Sequence, residues 1–466
     1  MWDLLEFAVE ESLSFNASFV EVRGERQTLT TIRFVNNVLK SVESTSLIGI
    51  GVTVIVGKSR GHGFTSVLTK EGLRDAIRKA IDSAKGLTKA AELSAEPAEY
   101  KPKEYRGFVP SRNKDPETTE FEEKFEILRR GIDEIKGLEG IASIAAIYAE
   151  LHGERYFINS EGLKRFWRPL RHGILFQVVA RKDGNIGSGR ELFASSFGLE
   201  VYEKEKPEEI AMKAYKGAIE SAQAKTIQPG KYPLIADPDF AGVLAHESFG
   251  HLTESDYVAT KASILYGRLH EQLGSEYATI IESGDPVNYG FFIPYDDEGV
   301  ATEKIILLNK GVLENYLHSR STAKLMNMQP TGNARAINFM FPAIVRMRNT
   351  YFDSGDMTKD ELFELVKHGV YVEGSTGGQT EDTGNFTFGA NRAYYIENSE
   401  IAYPLKGVVV RAHILDFLRN IIGASKEVIV GTSPLGGCGK AGQSPLPVGG
   451  GGPYLAIKEA LIGGGV

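Results

Sequence analysis

The sequence predicts an α+β protein: N-terminal and central sheet-plus-helix modules, followed by a β-rich C-terminal domain. Three observations carry this prediction. β-prone runs punctuated by turn residues fill positions 17–67 and recur over 141–180. Each group is followed by a segment whose apolar residues repeat every three to four positions, the period of a helix. From Gly230 onward the texture changes to short strands, many glycines and few helices. A length of 466 residues allows two or three domains with sizeable cores.

The elements follow in order. Trp2, Leu5 and Val9 share one face of an opening amphipathic helix. Residues 17–23, 29–34, 38–42 and 48–56 read as strands, with turns at Asn36-Asn37 and Gly57-Lys58. Leu73, Ile77, Ile81 and Ala84 line one side of a helix over 70–85, closing a module at 1–87. Pro97, Pro102, Pro110 and Pro116 then mark 88–116 as an extended connector or surface arm. Asp115 and Pro116 have the chemistry of a helix N-cap and first turn, and Phe121, Phe125, Leu128, Ile132 and Ile135 supply the stripe. Strands over 141–150, 155–158 and 174–180, a hairpin turn at Lys182-Asp183-Gly184-Asn185 and a helix from Pro207 to about Ala224 complete a central module at 117–226.

The C-terminal domain, 227–466, opens with a strand over 232–236 and a strong helix start at Asp237-Pro238-Asp239, with Leu244 and Phe249 on its buried side. Asn309-Lys310-Gly311 marks a hairpin. Strands are expected at 343–349, 385–388, 392–397 and 401–405, and helices at 359–367 and 413–422.

Composition excludes several function classes. Apolar residues at 42% and charged residues at 24% suit a soluble globular chain. A net charge of −8 argues against a general nucleic-acid binder. No apolar run approaches the ~20 residues that cross a bilayer, and the first residues carry acids rather than the basic start of a signal peptide. One cysteine, Cys438, forbids an intramolecular disulfide, and a reducing cytoplasm is the expected location.

The chemistry concentrates in residues 237–256. His246 and His251, with Glu247 beside the first, form the minimal kit of a hydrolytic metal site: two imidazoles for a divalent ion and a carboxylate to take a proton from the attacking water. The spacing is five residues rather than the familiar four. On a regular α-helix this sets the imidazoles about 140° apart. A shared metal therefore requires a π-bulge, or a helix that ends near His251, and Gly250 permits either. A similar pair, His270-Glu271, lacks a following histidine at a useful distance.

Two histidines leave a metal short of ligands. Glu254 and Asp256 follow directly, and Cys438 stands in a distant glycine-rich segment with Lys440 placed to keep a thiolate ionised. Spacing leaves this contest open. The run Gly449–Gly452 reads as a turn or the wall of a substrate groove. Arg335 and the acids Asp296, Asp297 and Glu298 are candidates for substrate contact. Tyr257, Tyr295 and Arg335 are candidates to stabilise an oxyanion, so substrate-binding residues stay unassigned.

HESFGH at 246–251, DDEG at 296–299, PTGNAR at 330–335, RNTY at 348–351, YIENSE at 395–400 and CGKAGQSPLPVG at 438–449 occur in that order. With them the chain resembles the TldD/PmbA family, formerly called modulators of DNA gyrase, over nearly its whole length. Having HExxxH and the late cysteine, it looks like the TldD-type catalytic subunit. The resemblance implies that His246, His251 and Cys438 hold one divalent metal, zinc above others, with Glu247 as general base. Glu254 and Asp256 then become partners that orient the ligands. It further implies a cytosolic metallopeptidase for short or unfolded peptides, working as a two-fold dimer with a metal-free paralogue or with itself. Two rival readings remain from the residues. One is a thiol peptidase with Cys438 as nucleophile; the other is a non-enzymatic binding module.

Overall fold

The computed structural model describes residues 1–87, 93–381 and 383–464. The first two groups of strands join in one antiparallel seven-stranded sheet. Its order is Ser59–Thr65, Val38–Val56, Phe19–Val35, Ile141–Asn159, Leu170–Lys182 and Asn185–Ser195, with Lys164–Trp167 added beside Ile141–Asn159. The join is the long pairing of Phe19–Val35 with Ile141–Asn159, from Glu21 opposite Asn159 to Val35 opposite Ala145. The short runs read from sequence are therefore pieces of strands 17 and 19 residues long. Polar, solvent-facing stretches interrupt their hydrophobicity without interrupting the hydrogen bonds. Asn36 and Asn37 both adopt positive φ, as a tight hairpin turn between right-twisted strands requires.

Two helix pairs cover this sheet. Trp2–Ser14 and Lys70–Leu87 bury Leu5, Leu73, Ile77 and Ile81 against Val20, Val22 and Val52. Phe121–Ile135 and Pro207–Gln223 bury Leu128, Ile132 and Ala214 against Tyr148, Ile174 and Phe176. The first of this second pair starts later than Asp115-Pro116 suggested. The Asp115 carboxylate accepts from Glu117 N, and the hydroxyls of Thr118 and Thr119 bond the Asp115 carbonyl. That closes a separate turn, and Glu120 is extended before the helix begins.

The connector runs extended, but it is anchored. Ala95 N donates to Lys58 O in the turn between Val38–Val56 and Ser59–Thr65, while Ala98 N donates to Arg320 O and Arg320 returns two bonds to Ala98 O. It thus ties the first sheet to the C-terminal region.

In that region a second seven-stranded sheet runs Gly369–Thr380, Gly230–Ala236, Leu455–Gly464, Val408–His413, Asn385–Glu397 and Glu400–Leu405, with Ile421–Ala424 beside Leu455–Gly464. Gly369–Thr380 also pairs with Asn385–Glu397, so five of its strands close on themselves. The helix expected over 413–422 is shorter, Ile414–Arg419, because Ile421 already pairs with Ile457. A six-stranded sheet lies opposite: Val312–Leu313, Ile305–Asn309, Ile280–Ser283, Asn349–Phe352, Gly449–Gly452 and Ile429–Thr432.

Between these sheets runs the helix that starts at Pro238, capped by the Asp237 carboxylate accepting from Phe240 N at 2.8 Å. Phe240, Leu244 and Phe249 are fully buried in the core that joins the sheets. The glycine run is neither turn nor groove wall: Gly449–Gly452 is an inner strand, parallel to Asn349–Phe352 and antiparallel to Ile429–Thr432. Its bareness lets the helix approach. A Cβ on Gly242 would sit 2.3 Å from Gly451 N, so only glycine at 242 permits this contact. No described helix is long and apolar enough to cross a membrane.

Candidate metal centre

The helix that begins at Pro238 changes geometry where the histidine spacing demands it. Pro238–Val243 is α-helical, Leu244–Gly250 is a π-helix, and His251–Thr253 is a single tighter turn. Widening the turn brings residues five apart onto one face. The His246 and His251 rings accordingly meet edge to face with centroids 5.2 Å apart. Gly250 contributes through space: a Cβ there would press within 2.1 Å of the Met347 sulfur.

Cys438 opens a short hairpin, Cys438–Lys440 with Gln443–Leu446, which delivers its sulfur to the helix from 187 residues away. Sγ lies 3.2 Å from His251 Nε2, and one ligand atom from each of His246, His251 and Cys438 falls within 4.8 Å of the others. Ligand atoms around a tetrahedral zinc stand roughly 3.3–3.8 Å apart, so the set fits a metal of that size. The orphaned atoms agree. His246 is 5% exposed, and its ring nitrogens find no oxygen or nitrogen partner among the described residues, only the neighbouring Cys438 sulfur, a costly state for a buried imidazole without a metal to bind.

An outer ring of contacts supports the cluster. His251 Nδ1 lies 2.9 Å from Glu254 Oε2, which leaves Nε2 for the cluster. Glu254 also accepts from Lys440 Nζ at 3.0 Å, and Lys440 binds Asp256 Oδ2 at 2.7 Å. Glu254 and Asp256 thus point at His251 and Lys440 rather than into the cluster. The sequence reading of Lys440 needs correction. Its ammonium neutralises two acids and covers the Tyr257 ring at 4.3 Å, and its nitrogen is not bonded to the sulfur. The histidines take over the role assigned to it. Burial pushes the Cys438 thiol up, but His246 and His251 overcome this and hold it at about 5. Burial likewise disfavours charge on His246 and His251; the nearby Cys438 and Glu254, respectively, reverse this, and both titrate above the ordinary histidine value.

Glu247 stands at the open side. Its carboxylate is 3.6 Å from His251 Nε2 and its side chain is 42% exposed. It lines a cleft of about 240 Å³ with His251, Tyr257, Thr380, Gly439 and Lys440. Of the oxyanion candidates, only Tyr257 reaches this cleft. Tyr295 hydrogen-bonds Glu104 and Tyr105 in the connector. Arg335 is buried and donates to the carbonyls of Met347 and Pro447. The acids at 296–298 are structural too. Asp296 accepts from three backbone N–H groups, Asp297 pairs with Arg155, and Glu298 binds Arg60 and Arg320 N. His270 and Glu271 bond elsewhere, Glu271 to Arg268. Thr380 and Glu381, at the strand end beside the cleft, escaped the sequence reading because nothing in their spacing links them to His246.

A π-distorted His–Glu–His helix faces a buried cysteine in a β-rich domain, and the comparisons with known proteins support a metallopeptidase-type function. The chain belongs to the PmbA/TldD family. Family models match in order: the PmbA/TldA metallopeptidase domain 1 over residues 20–84, the central domain over 114–222 and the C-terminal domain over 229–464. A metalloprotease of Methanothermobacter thermautotrophicus is 32% identical over 449 residues, covering 96% of this chain and 95% of that protein. The zinc metalloprotease TldD homolog of Saccharolobus solfataricus is 26% identical over 466 residues, covering 98% and 99%. The crystal structure of TldE from Thermococcus kodakarensis shares the fold with a TM-score of 0.78 at 19% identity, covering 99% of this chain and 100% of that one.

Proposed function

We propose that the chain is a metal-dependent peptidase acting on short or unfolded peptides, with Glu247 as general base. The observation that carries the proposal is the convergence of His246, His251 and Cys438 beside an accessible Glu247 at a cleft. These three side chains would hold one divalent ion. Zinc is favoured by the sulfur ligand and by the name of the Saccharolobus relative. When bound, the metal supplies Lewis-acid polarisation of a peptide carbonyl and eases deprotonation of water.

The protein's own groups do the rest. His246 and Cys438 are buried, and the helix and the hairpin bring the ligand set together. Glu254 holds the His251 ring through Nδ1. Glu247, partly solvated, takes a proton from the attacking water and returns it to the leaving amine. Tyr257 lines the same cleft and is the candidate to meet the charge that develops on the carbonyl oxygen. As the resemblance implies, we extend the proposal to the cytoplasm and to two-fold pairing with a metal-free paralogue or with a second copy.

The thiol-peptidase reading is disfavoured because Cys438 is 3% exposed and enclosed by imidazoles, out of reach of a peptide carbonyl. The test is Glu247→Gln with zinc measured per chain. Zinc should stay at wild-type content while hydrolysis of an unfolded polypeptide falls by at least about 100-fold. A variant that still cleaves at the wild-type rate refutes the assignment of the base.

A further inference from the structure

We infer that a second cavity, walled by the first sheet and by the segment that carries Cys438, is a binding site for a carboxylate with an apolar body. The cavity has a volume of about 240 Å³. Its apolar lining includes Leu29, Leu151 and Trp167 from the first sheet with Phe291, Ile293 and Leu435 from the C-terminal region. The inference stands apart from the proposed peptidase mechanism.

The charge balance of the walls points to an anion. Arg155 is matched: it binds Glu25 at 2.9 Å and Asp297 at 2.6 Å. Asp297 also faces Arg23 at 3.8 Å, so two arginines meet two acids. Asp296 lines the cavity as well, but its oxygens already accept from backbone N–H groups of Glu298, Val300 and Ala334. Arg171 and Arg335 are left over. Neither has a carboxylate within 4 Å among the described residues. Arg335 spends its terminal nitrogens on the carbonyls of Met347 and Pro447. Arg171 donates once, to Gly436 O at 2.6 Å, and its buried Nε has no partner among the described residues. At 3% exposure it is a guanidinium taken out of water without a counter-charge. Such a group is expensive alone and strongly favours an anion when one is supplied. A chamber with a largely apolar lining and one under-satisfied arginine suits an aromatic or aliphatic acid better than a polyphosphate, whose charges would outnumber that arginine.

The location matters. Leu435, Pro445, Leu446 and Pro447 form one wall, and Leu446 pairs with Cys438 across the hairpin. Arg171 already grips Gly436, two residues before the sulfur. An acid bound to Arg171 therefore braces the back of the hairpin that carries Cys438. Two sources share this chemistry: the free C-terminus of an apolar peptide and a small organic acid.

The test uses the full chain and calorimetric titration with two matched pairs of probes. These are Gly-Gly-Phe against its C-terminal amide, and 4-phenylbutyrate against 4-phenylbutanol. Each acid should bind at least about tenfold tighter than its neutral partner, and Arg171→Gln should erase the difference. Binding of both acids supports a general carboxylate site; binding of the peptide acid alone supports a site for peptide C-termini. Because Arg171 is buried, Leu435→Trp provides a second variant at a position 38% exposed. It should block binding by filling the chamber without unfolding the chain. Trp167 fluorescence should change on binding in the wild type and be silent in Trp167→Phe. Equal affinity for acids and neutral partners, no binding of either acid, or unchanged binding in both Arg171→Gln and Leu435→Trp overturns the inference.

Discussion

Replacing Glu254 by glutamine probes the support beneath the candidate metal centre while keeping its shape. The carboxylate is fully buried, and one oxygen receives both His251 Nδ1 at 2.9 Å and Lys440 Nζ at 3.0 Å. Breaking a buried ion pair outright costs about 3–5 kcal/mol. Here the loss is smaller, because Lys440 keeps Asp256 at 2.7 Å and the Val345 carbonyl at 3.0 Å, and the amide oxygen still accepts. About 2 kcal/mol of stability should disappear. His251 loses its charged acceptor, and loss of such outer contacts lowers metal affinity by about 10–100-fold. Two measurements separate the effects: urea unfolding with a chelator present, and zinc competition against a chromophoric chelator. The partly exposed neighbour Asp256→Asn should show the smaller change in both. If Glu254→Gln keeps wild-type stability and its zinc affinity stays within about threefold, then Glu254 neither anchors Lys440 nor orients His251, and the reasoning fails.

The remaining predictions concern the metal set, the backbone and pH. Cys438→Ser should lower zinc content measured by elemental analysis to well below one per chain, and a chelator should abolish peptide hydrolysis that added zinc restores; full zinc retention would return the third ligand to Glu254 or Asp256. Gly242→Ala drives a methyl group into the Gly451 backbone, so the helix must lift from the strand, costing roughly 1–3 kcal/mol in a denaturation experiment; an unchanged midpoint would contradict the close approach. His172 is held neutral by burial, its pKa lowered from 6.5 to about 4, while the unfolded chain protonates it at the ordinary value. Stability from this group is complete above pH 6.5 and drains away as pH falls to about 4, by about 3 kcal/mol in all. His172→Gln should be less stable at neutral pH yet lose less between pH 6.5 and 4; parallel pH profiles would refute that account.

How much of this was legible in the residues differs by element. Asn36-Asn37, Asp183-Gly184 and Lys310-Gly311 announced their turns because left-handed backbone demands particular side chains. Leu244 and Phe249 announced their burial as the large apolar residues of a helix with a clear start, and the same five-residue spacing as the histidines is accommodated by the π-helix. The five-residue gap between His246 and His251 even implied a distorted helix, since a regular one cannot aim both rings together. Local chemistry writes such features locally. The surroundings of Lys440 and of the glycine run were not legible for the opposite reason. Each is defined by partners far along the chain: Lys440 by Glu254, and Gly451 by Gly242.

The sequence by itself determined an α+β chain with a His–Glu–His segment and a distant cysteine. It could not choose by spacing between that cysteine and the nearby acids as the third member of the cluster. The tertiary structure made that choice. Glu254 is turned away by the buried ammonium of Lys440, while a two-stranded hairpin carries the Cys438 sulfur to within 3.2 Å of His251. The joining of two modules into one sheet was decided at the same level. Strand pairing is a matter of backbone hydrogen bonds between Phe19–Val35 and Ile141–Asn159, and backbone groups are the same in every sequence.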